Sequence, residues 1–425
     1  MRMMRNLVAA AGLAVLIASV QPAVAAMPML HTEGRAWVDA NGQPVTLKGL
    51  NLGNWLINEF WMMGEGVNGV DDECKLEATL DRRFGYAERE RLMQLFRDNW
   101  ITSRDWDVIA SYGFNLVRLP FNHSVVEDEQ QPGKLRADAW RYLDLAVAEA
   151  GKRGIYVVID LHGAAGRQGW LHHSGCAGKN AYWASTSNRS RTAWLWREIA
   201  TRYQDNPAVL GYSVLNEPWG VEGAEMAQRV IELYQVIRAA DPNHVVILPG
   251  HNKSGIDAYG KPSAHGLVNV AFEIHPYPGH FSWGKPGLDV HRNWLRCGPG
   301  KTVCEWDARM RALDAALLIG EFQPWAALGP ALSAKVTRAT YDTYAHYGWA
   351  ATAWSYKLVT LAGGQGKGTW GLVTNAPDSP LPGLDFNTAS VEQIERLFKA
   401  YASVRYEHQP GVREALLASD APPFP

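Results

Sequence analysis

The stretch Val209-Leu210-Gly211-Tyr212-Ser213-Val214-Leu215-Asn216-Glu217-Pro218 decides the reading of the fold. A short apolar run ends abruptly in an amide, a carboxyl and a proline, which reads as a buried strand meeting a turn. The pattern recurs at 45–52, 114–119, 155–161, 245–249, 268–274, 317–320 and 349–354, making eight candidate strands. Amphipathic helical stretches lie between them, among them 139–153, 191–203, 224–240 and 334–347. Gly154 and the Asp241-Pro242 pair supply stop signals. Strands that alternate with helices predict a parallel sheet, and eight such strands close into a ring. An α/β fold with a single (β/α)8 barrel is therefore expected. A doubly wound open sheet is the alternative, but no G-x-G-x-x-G follows an early strand.

The strand ends carry the polar residues. The second strand runs into Arg118, the third into Asp160-Leu161-His162-Gly163 and the fourth into Asn216-Glu217. The sixth gives Glu273-Ile274-His275-Pro276-Tyr277, the seventh Gly320-Glu321 and the eighth Trp354. Four long connections, at 57–85, 163–189, 278–306 and 358–389, follow strands and so leave the same C-terminal face. Loops of that length in a compact domain are usually functional, and that face is where sites on this fold are built.

Glu217 and Glu321 matter most. Cleaving a glycosidic bond takes one carboxyl to protonate the leaving oxygen and another to attack, or to activate water, across the sugar. Glutamates on opposite sides of one barrel mouth meet that demand. Each alone could equally be a salt-bridge partner or a first-turn helix acid.

The net charge of −2 over 425 residues, with no basic stripe, argues against nucleic acid. Arg2 and Arg5, an apolar stretch over 7–20 and Ala23-Val24-Ala25 have the form of a secretory signal peptide. The expected division is a signal peptide over 1–25 and a catalytic domain over 26–425, exported to the periplasm or the medium as a monomer. No later run has the length of a membrane span. Cys74, Cys176, Cys297 and Cys304 then read as disulfides, with three pairings possible. Cys297 and Cys304 bracket Gly298-Pro299-Gly300, which favours their pairing and leaves Cys74 for Cys176. Cofactors and metals are not expected, because the Cys and His spacings of a zinc site are missing. Tryptophan is abundant at 18 residues, and Trp61, Trp170, Trp183, Trp219, Trp283, Trp325 and Trp370 stand beside turn residues. A flat ring in a loop suits the apolar C–H face of a sugar, although core packing accounts equally well for many of them.

Asn216-Glu217-Pro218 and Gly320-Glu321, each after an apolar strand, resemble glycoside hydrolase family 5 of the clan-A retaining barrels. Asn51-Leu52-Gly53-Asn54-Trp55-Leu56 with Glu59 and Trp61 is similar to the opening of that family's exo-β-1,3-glucanase branch. Asp160-Leu161-His162-Gly163-Ala164-Ala165-Gly166 resembles another segment of the same branch. The resemblance implies a retaining β-glycosidase with Glu217 as acid/base and Glu321 as nucleophile. It further implies that Asn216 binds the sugar 2-hydroxyl, Arg118 and Tyr277 keep Glu321 ionised, and His275 lines the cleft near Glu217. His162 would support the reacting sugar, Trp354 would floor it, and Glu59 would bind its outer hydroxyls. Ala165, Phe60 and Phe322-Gln323-Pro324 depart from the branch, and His275-Pro276-Tyr277 is nearer the cellulase-like members. These departures leave β-1,3, β-1,4 and β-1,6 linkages, and exo or endo action, open. His172 and His173 read as loop polars.

The expected substrate is a glucan or a β-glucosidic oligosaccharide. Another β-glycoconjugate, an inactive carbohydrate-binding protein on the same scaffold, and a metal-dependent barrel hydrolase are the alternatives. The last lacks an H-x-H strand-end pair.

Overall fold

The computed structural model describes residues 27–64, 68–250, 255–278, 287–298, 302–325, 328–361 and 370–420. Eight parallel strands close into a barrel: Lys48–Asn51, Leu116–Asn122, Tyr156–Gly163, Val209–Ser213, Val245–Pro249, Val270–Ile274, Ala316–Ile319 and Ala350–Ala353. The eighth pairs with the first, Thr352 opposite Gly49, so no edge is left open. Every residue of Leu116–Asn122 and of Tyr156–Gly163 is buried. Strands covered on both faces show continuous apolar runs, which is why they stand out in the sequence.

The helices expected over 139–153, 191–203, 224–240 and 334–347 form as Arg141–Gly151, Thr186–Tyr203, Gly223–Ala240 and Pro330–His346. After the fifth strand the described residues hold two 3₁₀ turns, Asp257–Tyr259 and Pro262–His265, in place of an α-helix. Gly260, Pro262 and Gly266 punctuate that short connection. The connection over 57–85 is also more ordered than expected, because Glu73–Phe84 is an α-helix capped by the Asp72 side chain, which accepts from Lys75 N. Its inward face includes buried Glu73 and Glu77 beside Leu76 and Leu80, which blurs the apolar period.

Inside the barrel, side chains two residues apart share a face. Leu116, Val158, Ile247, Ala271 and Leu318 form an apolar layer near the N-terminal end. A hairpin of His31–Glu33 and Ala36–Val38 covers that end, with Trp37 in the same cluster and its Nε1 donating to Leu317 O at 3.2 Å. One pleat higher the same strands present Arg118, Asp160 and Glu273, so the barrel interior changes from apolar to charged toward the C-terminal face. The signal peptide expected over 1–25 lies outside the described residues.

Both disulfides are formed as expected, Cys74–Cys176 and Cys297–Cys304. The first joins the helix after the first strand to the loop after the third, where Cys74 N also donates to Gly175 O at 3.0 Å. Among the described residues no helix is long and apolar enough to cross a membrane.

Candidate active site

Arg118 is fully buried and organises the barrel mouth. Its Nε lies 2.7 Å from Glu273, its Nη2 3.1 Å from Asp160 and its Nη1 3.0 Å from Glu321. Nη2 also donates to Asn216 Oδ1 at 2.8 Å and Nη1 to Asn51 Oδ1 at 3.1 Å. A planar guanidinium can serve that many acceptors from one position. Unpaired, a charge so deep would be very costly.

Glu321 meets this cation directly, and Glu217 lies close enough to feel its charge. One carboxyl oxygen of each, together with a His275 ring nitrogen, falls in a cluster whose atoms all lie within 4.8 Å of one another. The Glu217 side chain is 35% exposed and that of Glu321 8%. The Tyr277 hydroxyl donates to Glu321 Oε2 at 2.8 Å. His275 bridges the pair: Nδ1 is 2.8 Å from Glu217 and 3.6 Å from Glu321, and Nε2 is 3.1 Å from Glu273. Three such groups can in principle hold a cation, but Arg118 at 3.0 Å from Glu321 opposes one electrostatically. Glu217 itself has a left-handed backbone, φ 38°, which is strained for a side-chain-bearing residue.

Gly320 has a steric reason to precede Glu321. A Cβ there would lie 1.9 Å from Glu273 Oε1 and 2.7 Å from His275 Nε2. The glycine therefore makes room for the buried Glu273–His275 pair.

The electrostatics of the two glutamates differ from the sequence expectation. Burial pushes Glu321 up to about 7, and His275, Arg118 and Tyr277 only partly offset it. Arg118 shares its charge among Asp160, Glu273 and Glu321, so little of it is reserved for the last. Glu217 is also raised by burial, but His173 and His275 outweigh that and hold it below the usual carboxylate range. His275 is lowered by burial and raised more by Glu321, Glu217 and Glu273, reaching about 10. As pH falls below about 7 the two carboxyls thus come to hold one proton between them.

The remaining expected residues gather here too. His162 Nδ1 is 2.7 Å from Asp160 Oδ2, which fixes the ring, and Asn216 Nδ2 donates to His162 Nε2 at 3.1 Å. His162 stacks on Trp354 with centroids 5.6 Å apart and planes 15° apart. Trp354 is only 3% exposed and packs with Met62 and Leu358. Glu59 Oε2 accepts from Trp61 Nε1 at 2.7 Å and lies 3.2 Å from His172 Nε2.

His172 and His173 are a correction, since neither is a mere loop polar. His172 meets Glu59, and His173 Nε2 is 3.3 Å from Glu217 Oε2. Asp160, Glu273 and Asn51 were also not singled out as site residues. Asp160 and Glu273 had a readable signal, an acid inside an apolar strand, whereas the His pair sits on a loop whose path no local pattern predicts. Of the loop tryptophans, Trp183 and Trp325 are buried, Trp61 meets Trp370 edge to face at 5.7 Å, and Trp170 and Trp219 are exposed. Trp283 lies outside the described residues.

Known proteins resemble this chain in sequence and in fold. A β-xylosidase of Phanerodontia chrysosporium is 32% identical over 252 residues, covering 59% of this chain and 52% of that protein. A probable glucan 1,3-β-glucosidase A of Neosartorya fischeri is 28% identical over 292 residues, 67% of this chain and 66% of its own. The chain thus spans about half the length of the first relative and just under two thirds of the second. In fold, it is similar to the crystal structure of rutinosidase from Aspergillus niger, with TM-score 0.60 and 17% identity over 77% of this chain and 95% of that one. The sequence profile of the cellulase family matches residues 87–358, from the helix Tyr86–Trp100 to the segment after Trp354. The chain belongs to that family, the cellulases of glycosyl hydrolase family 5.

Proposed function

We propose that this protein is a retaining β-glycoside hydrolase of β-glucanase type, acting on a glucan or a β-glucosidic oligosaccharide. The observation that carries the reading is the spacing of Glu217 and Glu321, with carboxyl oxygens within 4.8 Å. Retaining enzymes hold their carboxyls about 5–5.5 Å apart, and inverting ones about 6.5–9.5 Å apart to admit a water.

In the first step Glu321 attacks the anomeric carbon while the glycosidic C–O bond breaks and Glu217 gives its proton to the leaving oxygen. In the second, Glu217 takes a proton from water as its oxygen attacks the anomeric carbon, and the bond to Glu321 breaks. The single proton of the pair must therefore sit on Glu217 at the start. Positive charge developing at the anomeric carbon favours the Glu321 anion, and the leaving oxygen at Glu217 accepts the shared proton. Arg118 and Tyr277 then stabilise Glu321 as a carboxylate and as a leaving group. Asn216, oriented through Arg118, would bind the sugar 2-hydroxyl, and His162 and Glu59 would hold the rest of the reacting ring. Trp354 would close the bottom of that subsite.

The relatives' names support a β-glucosidic or β-xylosidic substrate. The same reading has residues 26–425 acting as one catalytic domain, exported behind a signal peptide over 1–25. Two disulfides support an oxidising compartment.

Proton NMR of products from an aryl β-glucoside, with chelator present, tests the chemistry. The β-anomer should appear first. Glu321→Gly should abolish turnover, and Glu217→Ala with azide should restore it as the β-glycosyl azide. An α-anomer as first product, or an α-azide, would overturn both assignments.

A further inference from the structure

Glu217 keeps its left-handed backbone, φ 38°, in the turn that follows the fourth strand. A strained backbone of this kind persists only where its surroundings over-determine it. Here the surroundings converge on Gln168, a fully buried side chain in the loop after the third strand. Its Nε2 donates to Asn216 O at 2.9 Å, directly before Glu217, and to His162 O at 2.7 Å. Its Oε1 accepts from Ala164 N at 3.0 Å. Its backbone carbonyl accepts from Trp219 N at 2.9 Å, two residues beyond Glu217. One residue thus holds the chain on both sides of the acid.

The arrangement asks for a primary amide. Two N–H donors meet two carbonyls and the amide oxygen meets an N–H, so only one orientation of the group fits. These bonds continue the pairing of the third and fourth strands beyond its last rung, Asp160 with Ser213. Asn216 N extends the same pairing by donating to Leu161 O at 3.0 Å. A Cβ at Gly169 would lie 3.5 Å from Glu217 O, so the loop runs in contact with the backbone of the acid. Without the amide, two carbonyls and one N–H would be left unpaired in a buried place.

Glu321 draws its support from a different set, Arg118, Tyr277 and His275. Asn216 also keeps a hydrogen bond of its own from Arg118, at 2.8 Å. Gln168 therefore bears on the acid more than on the nucleophile.

Resting on the reading of Glu217 as acid/base, we propose that Gln168 is the positioning residue of that acid. It touches no reacting atom; it fixes the turn that aims the Glu217 carboxyl at the leaving oxygen. Misplacing a catalytic group by about 1 Å costs on the order of 100-fold in rate. That loss falls on leaving groups that need the proton.

The test measures Gln168→Met and Gln168→Glu on aryl β-glucosides whose leaving groups run from dinitrophenol to phenol. Met keeps the length of the side chain without its donors, and Glu keeps its shape and its acceptor. Expected is a loss in kcat/KM of about 100-fold on the phenyl glucoside and under about tenfold on the dinitrophenyl one. On the dinitrophenyl glucoside kcat and KM should fall together, because the second step still needs Glu217 as base, and azide should restore kcat. Equal losses along the series would overturn the proposal, since Gln168 would then serve the fold alone. So would no loss, or failure of both variants to fold by circular dichroism. Glu217→Ala on the same series separates the two claims. A steep dependence on leaving group for Glu217→Ala with a flat one for the Gln168 variants sinks this inference only. A flat dependence for Glu217→Ala, or an unaltered protein that cleaves none of the series, sinks the acid/base reading and this inference with it.

Discussion

At the scale of single residues, the proton shared by Glu217 and Glu321 sets the pH behaviour. With Glu321 pushed up to about 7 and Glu217 held below the usual carboxylate range, the pair keeps one proton between those limits. The proposed mechanism needs that singly protonated form. On an ordinary aryl β-glucoside, kcat/KM should fall as pH rises through about 7, and hold up well below the usual carboxylate range. A profile flat to pH 9 would contradict the shared proton. A dinitrophenyl glycoside needs no acid for its first step, so its alkaline limb should weaken. Stability carries the same sign. The folded value of Glu321 is above its ordinary 4.5, so its contribution is full below pH 4.5 and declines as pH rises through about 7. Glu321→Gln removes that titration. Urea midpoints should show the variant gaining on the unaltered protein between pH 5 and pH 8; a constant difference would refute the burial account.

At the scale of elements, the Cys74–Cys176 disulfide ties together the two loops that bring Glu59 and His172 into contact. It spans 102 residues of sequence. Closing a loop of that order restricts the unfolded chain, and losing such a bond costs about 2–5 kcal/mol. Replacing both cysteines by serine should lower the denaturation midpoint accordingly and raise KM more than it lowers kcat, because the end of the cleft proposed to hold the glycone loosens. An unchanged KM would show that the Glu59–His172 contact is held by other means. Cys297–Cys304 spans only 7 residues, so the same model assigns it a smaller effect. Nonreducing peptide mapping should recover both pairs linked. Glu73–Phe84 shows at this scale why the first connection was misread: its buried face carries Glu73 and Glu77. Glu73 accepts from Asn58 N at 2.5 Å, directly before Glu59. A polar contact of that kind replaces the apolar period by which a helix is recognised.

At the scale of the whole molecule, the barrel separates stability from chemistry along its axis. The N-terminal end is plugged by an apolar cluster that includes Trp37, and the C-terminal end is charged. Trp37→Ala should therefore cost about 3–5 kcal/mol of stability, the usual range for a buried Trp. Well below the new Tm, kcat/KM should stay near that of the unaltered protein. Thermal unfolding followed by tryptophan fluorescence, with kinetics on the folded variant, checks both halves. A parallel collapse of kcat/KM would mean that the two ends are coupled.

The sequence alone determined the eight strands, their order and the residues at their C-terminal ends. Strands buried on both faces must be apolar, and polar residues interrupt them only where something other than packing is asked of them. Glu217, Glu321, Arg118, His162, Asn216, His275 and Tyr277 were legible for that reason, and so was the cellulase-family resemblance that their motifs carry. Only the tertiary structure decided what those groups do to one another. That Arg118 divides its charge among three carboxylates, that burial then leaves Glu321 with the higher proton affinity, and that His172 and His173 reach Glu59 and Glu217 all depend on distances across the barrel mouth. Electrostatic energy falls with separation and rises with burial, and neither quantity is written in the local order of residues.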